Sequence, residues 1–294
     1  MLTECRFTDC EAWRAETKLD ETVPIWEFPE KAEMFKYYPQ YYHKTDKVSP
    51  FLPHVLTPRR NSEADPDQDG RPVYIEQFGK IDLGPLYKIT TPERMLTNLA
   101  VEYERLADQR LPACSRKSGH LLETCCTIMD LKGVTLTKIP SVYSNISQAS
   151  TLSQNYYPER LGKLYLINAP WGFSTIWSVL KGWIDPVTVQ KIKILGSGYQ
   201  KELLNQIPAE NLPVEFGGKC QCEGGCEFSD MGPWREDQWK GSEAKKGEEK
   251  KEEEEKKEEA PAEGAAEGAA EGEGAKDEAE GEAAKAPAPA PAAA

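Results

Sequence analysis

The sequence lacks most of the features that would tie it to a familiar task. No window reaches the ~18 uninterrupted apolar residues of a membrane-crossing helix. The segment after Met1 has no charged stretch leading into an apolar one, so nothing marks it for secretion. The reading is therefore a cytosolic chain, in which the eight cysteines stay mostly reduced. No basic stripe is available to track a phosphate backbone, which argues against nucleic acid as a partner. The acidity itself is uneven: residues 242–294 hold 17 acidic and 8 basic residues, a net −9 out of the total −13.

Histidine is scarce as well. The three, His43, His54 and His120, stand in no Ser/His/acid context, and no G-x-S-x-G elbow occurs. Gly196-Ser197-Gly198 extends to neither a dinucleotide nor a P-loop fingerprint. Asp65, Asp67 and Asp69 lead into Gly70 as in a calcium loop, and Glu76 stands six positions further on. Glu76, however, lies in the strand-like run VYIEQ with no entering helix, so a turn into a strand is expected. Cys220, Cys222 and Cys226 form a C-x-C-x3-C cluster in a Gly-rich loop, which offers three soft ligands but no fourth and no histidine nearby. Neither a metal nor a cofactor is expected. What remains is a binding protein, and not an enzyme.

With 294 residues and 39% hydrophobic content, the chain can build a sizeable core. The stretch 242–294 repeats Ala, Glu, Gly and Lys and ends in Ala-Pro alternation. It carries nothing to repay the entropy of ordering, so a disordered tail is expected. Val73–Gln77, Cys125–Asp130, Lys163–Asn168 and Lys191–Leu195 read as short buried strands. Pro92–Gln109 reads as a helix, with Met95, Leu99, Tyr103 and Leu106 at helical spacing and Thr91 as N-cap. Ser141–Gln154 and Tyr199–Gln206 read as further helices. Such alternation implies an α/β layer with a mostly parallel sheet. Phe173–Ile184 carries Phe173, Ile176, Trp177, Leu180, Trp183 and Ile184 on a short helix. That is more apolar surface than one buried stripe needs, so the segment is either packed on both sides or a mobile gate over an apolar pocket.

Nine stretches carry a resemblance: YPQYYHKTDK, DGRPVY, RLPACSR, TIMDLKG, SQNYYPERLGK, INAPWGFST, DPVTV, YQKELLNQIPAENLPVEFGG and DMGPWR. From Phe35 to Arg235 they are similar, in family order, to fungal phosphatidylinositol/phosphatidylcholine transfer proteins of the Sec-fourteen type, which have the CRAL-TRIO lipid-binding fold. The resemblance implies a CRAL-TRIO domain over 37–241, with a sheet floor and a gating helix above an apolar pocket. It implies a monomer that carries phosphatidylinositol and phosphatidylcholine, makes transient contact with membrane surfaces and works as a cytoplasmic protein peripheral to the Golgi. A lipid-presenting regulator of a lipid kinase is the alternative. Physical chemistry agrees with a closed pocket. Two acyl chains of about 30 CH2 groups at ~0.8 kcal/mol each make an order of 20 kcal/mol of exposure that no carrier could leave wet.

The resemblance also assigns residues. Tyr42, Tyr74, Tyr103, Cys125 and Thr127 match positions around the phosphatidylcholine headgroup, where aromatic faces suit a quaternary ammonium and hydroxyls suit phosphate. At Cys125 the family usually has Ser, and a thiol is the weaker donor. Tyr157, Glu159, Asp185, Thr188 and Lys191 match the phosphatidylinositol region, where charge-assisted bonds can reach ring hydroxyls. Gly217-Gly218 is expected to mark a tight bend near the gate rather than a contact. Two departures stand out. Residues 1–36 resemble only the last helix of the family's N-terminal bundle, without its basic residues beside the lipid phosphate. Residues 48–68 separate two pieces that family members join directly. This insertion begins Val-Ser, which can be written GTGAGT, and ends in Gln, which can be written CAG, so it fits a retained intron.

Overall fold

Runs of β-branched, aromatic and aliphatic residues bounded by Gly, Pro and Asn become the strands. These are β1 (Gln40–Thr45), β2 (Pro72–Glu76), β3 (Cys125–Asp130), β4 (Leu161–Ile167) and β5 (Ile192–Ile194). They form one sheet in the order β1-β2-β3-β4-β5, antiparallel between β1 and β2 and parallel elsewhere. The computed structural model describes residues 2–48, 70–135, 139–183 and 186–241, with backbone alone for 2–6, 139–143, 174, 176, 179, 180 and 183. The expected tail at 242–294, the interior of the 48–68 insertion, Asp185 and Ile184 lie outside the described residues.

Four strands fall within one or two residues of their expected places. β1 is not among the strands the sequence suggests. Its run QYYHKT has no clean alternation, and it becomes a strand by pairing with β2, Tyr41 opposite Ile75 and Tyr42 opposite Tyr74. Strand identity here comes from the partner rather than from propensity.

The helices that position the site are α1 (Leu2–Thr17), α2 (Pro92–Arg105), α3 (Leu111–Ser118), α4 (Ile139–Tyr156), α5 (Phe173–Leu180), α6 (Gln200–Gln206) and the single turn α7 (Cys226–Ser229). Thr91 caps α2 as expected, its hydroxyl accepting from the Arg94 N–H at 3.3 Å. The expected helix to Gln109 does not run on in α geometry: Leu106–Arg110 is a π-turn. Pro112 lacks an N–H, and its ring would press on the carbonyl one turn back, so a wider turn relieves the crowding. The widened turn carries Arg110, buried between Glu102 at 2.8 Å and Asp230 at 3.3 Å.

One face of the sheet is core. Tyr41, Ile75, Ile128 and Tyr165 are register partners across it and pack against Met34, Leu203, Ile207, Leu212 and Phe216. Gly217 takes φ +91°, and a Cβ at Gly218 would come within 1.9 Å of the Leu212 carbonyl oxygen. The pair is thus a bend and a close contact together, seated on the core side against Leu212 and Gln200. The expected tight bend is present. α1 lies against α2 and α4: Trp13 stacks on Tyr156 at 4.1 Å, and Arg14 pairs with Glu104 at 2.8 Å. Among the described residues no helix is long and apolar enough to cross a membrane.

Candidate functional site

The other face of the sheet carries two aligned rows. Tyr42, Tyr74, Thr127, Leu164 and Ile192 are successive register partners from β1 to β5, and so are Gln40, Glu76, Met129, Leu166 and Ile194. Side chains two apart along a strand share a face, so all ten look the same way. Both rows run from hydroxyl, amide and carboxyl groups at β1–β2 to aliphatic groups at β4–β5. A single floor therefore has a polar half and an oily half.

Helices cover the floor. A cleft of about 560 Å³, counting the part open to solvent, runs between α2 and α4 and is lined by Met95, Leu96, Leu99 and Ile146 with Tyr38 and Gln40. Over the oily half, Phe173 of α5 packs with Leu131, Leu164 and Leu166. The enclosed space within the cleft is only about 50 Å³, far below the ~300–1,000 Å³ of ligand pockets, so a two-chain lipid enters it only if the covering helices move apart.

The structure joins the two expected headgroup sets through one residue of the second, Tyr157. The Tyr42 and Tyr74 rings lie 4.9 Å apart, and Arg110 sits 4.3 Å over Tyr42. Cys125 Sγ lies 3.6 Å from Thr127 Oγ1 and donates to the Arg160 carbonyl at 3.2 Å. Tyr103 of the first set stacks on Tyr157 of the second at 4.6 Å, which joins them. The Tyr157 hydroxyl donates to Glu104 at 2.7 Å, and the Tyr103 hydroxyl meets Ser153 at 2.6 Å. Thr188 and Lys191 close one turn, the Lys191 N–H donating to the Thr188 carbonyl at 3.1 Å. Glu159 pairs with Lys191 at 3.8 Å, its side chain 90% exposed. The neighbour in sequence, Arg160, turns away and donates to the Glu123 carbonyl at 3.3 Å. Glu159 therefore pairs with the residue that leads into β5 and not with its neighbour in sequence.

Apart from the Arg110 guanidinium over Tyr42, the polar half carries little charge. Burial pushes Tyr42 and Tyr74 well above the usual phenol range, Tyr103 up to about 12, and the Cys125 thiol upward too. Neutral phenols, a neutral thiol and Thr127 face inward together. Glu76 is the exception that sequence reasoning weighed only as a calcium ligand. It is buried, accepts a hydrogen bond from Tyr38, and burial raises its pKa to about 7. Its strand setting is the expected one, at the end of β2.

Of the expected gate, Phe173 packs over the floor and Trp177 is half-buried. The side chains of Ile176, Leu180, Trp183 and Ile184 lie outside the described residues. Trp171, two residues before α5, was not singled out, yet it is fully exposed at 101%. Its signal was present in the stretch INAPWGFST, where a Trp stands between Pro and Gly and cannot join a helix's apolar stripe.

Comparison with known proteins agrees with this architecture. The CRAL/TRIO domain family matches residues 64–218. The SEC14 cytosolic factor of Kluyveromyces lactis is 52% identical over 242 residues, covering 81% of this chain and 73% of that protein. The factor of the same name from Schizosaccharomyces pombe is 57% identical over 233 residues, covering 79% and 74%. The phosphatidylinositol/phosphatidylcholine transfer protein SFH4 of Arabidopsis thaliana is 36% identical over 235 residues, covering 79% of this chain and 35% of that one. The crystal structure of Sfh5 superimposes with a TM-score of 0.50 at 17% identity, over 73% of this chain and 66% of that one, a likeness of fold. With a domain match over more than half its length and relatives this similar, the chain belongs to the CRAL/TRIO domain family.

Proposed function

We propose that this chain is a non-catalytic phospholipid carrier, which holds one lipid at a time and exchanges phosphatidylinositol for phosphatidylcholine between membranes. The observation that carries this reading is the graded floor. Tyr42, Tyr74 and Thr127 lie in line with Leu164 and Ile192, so one continuous surface offers polar groups to a headgroup and aliphatic groups to its chains. An amphiphile is the ligand that such a floor fits; a sugar or nucleotide would leave the oily half unused. The neutral tyrosines suit a choline through their ring faces, while Glu159 and Lys191 suit an inositol through charge-assisted bonds. The name of the Arabidopsis relative couples the same two lipids. The working place of such a carrier is the cytoplasm, as a monomer in passing contact with Golgi membranes.

Native mass spectrometry of the purified chain tests the carrier reading. One co-purified phospholipid per chain is expected, together with movement of labelled phosphatidylinositol and phosphatidylcholine between vesicles. A folded chain that holds no lipid and moves neither would end it.

A further inference from the structure

The C-x-C-x3-C cluster that sequence reasoning left one ligand short acquires that ligand in three dimensions. His43 of β1, 177 residues before Cys220, brings its Nε2 to 3.3 Å from the Cys220 Sγ. Cys222 Sγ lies 3.8 Å from Cys220 Sγ, and one ligand atom from each of His43, Cys220, Cys222 and Cys226 falls within 4.8 Å of all the others. The expectation of no histidine near these cysteines holds along the chain and fails in space.

We propose that His43, Cys220, Cys222 and Cys226 form a structural zinc site. Zinc binds thiolate sulfur at ~2.3 Å and imidazole nitrogen at ~2.0–2.1 Å, so a tetrahedral shell puts its donor atoms about 3.5–3.8 Å apart. The separations of 3.3 and 3.8 Å already approach that shell. The donor set is three soft sulfurs and one imidazole, which selects zinc over calcium or magnesium, and four protein ligands close the shell as structural sites do.

The surroundings support the assignment. His43 is fully buried, and Cys220 and Cys226 are 7% and 8% exposed, so the site is enclosed on three sides. The Ser229 hydroxyl donates to the Cys226 carbonyl at 2.9 Å and therefore accepts from His43 Nδ1, 3.2 Å away. That fixes the proton on Nδ1 and leaves the Nε2 lone pair facing the sulfurs, the second-sphere arrangement that metal-binding histidines use. Gly224 and Gly225 take φ +73° and +103°, the left-handed turn that brings Cys226 back beside Cys222. Cys220 is anchored independently, its N–H donating to the Leu212 carbonyl at 3.0 Å. Binding would release three thiol protons to solvent as three zinc–sulfur bonds form. The site would staple the 220–229 segment to β1, the strand that carries Tyr42, and so hold the polar edge of the lipid floor in place.

Metal content decides the matter. The full chain, purified in reducing buffer and offered zinc alone, is expected to hold one zinc per chain by elemental analysis. Cobalt in its place should give the thiolate charge-transfer and strong visible bands of a tetrahedral site. Cys222→Ser, at the half-exposed corner of the site, should abolish stoichiometric binding with the fold retained by circular dichroism. Ser229→Ala leaves all four ligands in place and should weaken zinc binding about 10- to 100-fold. A folded chain that takes up no zinc, an octahedral cobalt spectrum, or a Cys222→Ser variant that binds zinc as tightly as the parent would each overturn the proposal. So would a disulfide among the three cysteines that persists in reducing buffer.

Discussion

Single side chains set the pH response of the floor and, under the proposed function, its selectivity. Lys191 and Glu159 meet at 3.8 Å in an exposed pair, which contributes little to stability. Under the proposed function their value is to a ligand with hydroxyls, since choline has no groups to bond with them. A lost charge-assisted bond costs ~1.5–3 kcal/mol, roughly 10- to 150-fold in affinity. Lys191→Ala is therefore expected to depress phosphatidylinositol transfer strongly and to leave phosphatidylcholine transfer near the parental rate; equal loss of both would show that the residue serves the fold. Glu76 makes a different prediction. Its pKa is raised from 4.5 to about 7 by burial. Between those values the folded chain keeps a proton that the unfolded chain has released. Stability consequently falls as pH rises from about 4.5 to about 7, by an order of 3 kcal/mol, and stays lowered above that range. Glu76→Gln keeps an acceptor for Tyr38 and removes the titration. Its denaturation midpoint should match the parent near pH 5 and exceed it at pH 8, and superimposable pH profiles of the two chains would refute the assignment.

At the scale of elements, the sequence was most legible where hydrophobic runs were short and bounded. β2 to β5 and α2, α4 and α6 lie within a few residues of where spacing put them. The two departures have local causes: β1 needs β2 beside it, and Pro112 forces the π-turn at Leu106–Arg110. The helix α5 is the element whose motion the proposed function asks for. Phe173 holds it to the oily half of the floor, while Trp171 just ahead of it stands fully in solvent. A large apolar ring with one N–H donor is suited to a membrane interface. In variants with Trp171 as the sole tryptophan, fluorescence should shift to the blue on adding phospholipid vesicles, and Trp171→Ala should slow lipid exchange without lowering the melting temperature. No shift while exchange continues would place the membrane contact elsewhere.

For the whole molecule, the insertion at 48–68 is a test of how separable the chain is. The residues that flank it are already joined: the Gly70 N–H donates to the Lys47 carbonyl at 3.1 Å and the Asp46 N–H to the Arg71 carbonyl at 3.0 Å. Asp46 accepts from the Gly70 and Arg71 N–H groups at 2.8 and 2.7 Å, closing the same corner. Excision would leave Asp69-Gly70 between Lys47 and Arg71, a dipeptide that two-residue hairpins favour. Each halving of a loop returns about 0.6 kcal/mol, so the excised chain should melt higher, by roughly 2 kcal/mol of stability, and keep its lipid exchange. A lower melting temperature would show that the segment contributes to the fold, and transcripts that always retain its 63 bases would rule out the intron reading. By itself the sequence determined the strands β2 to β5, the helices α2, α4 and α6, and the family, because periodicity and extended motifs are local properties of the chain. Tertiary structure alone decided that Tyr42, Tyr74, Thr127, Leu164 and Ile192 fall in one row and that His43 joins three cysteines 177 or more residues away. Both depend on strand register and loop docking, which are set by the packing of distant segments and leave no mark in the spacing of any one of them.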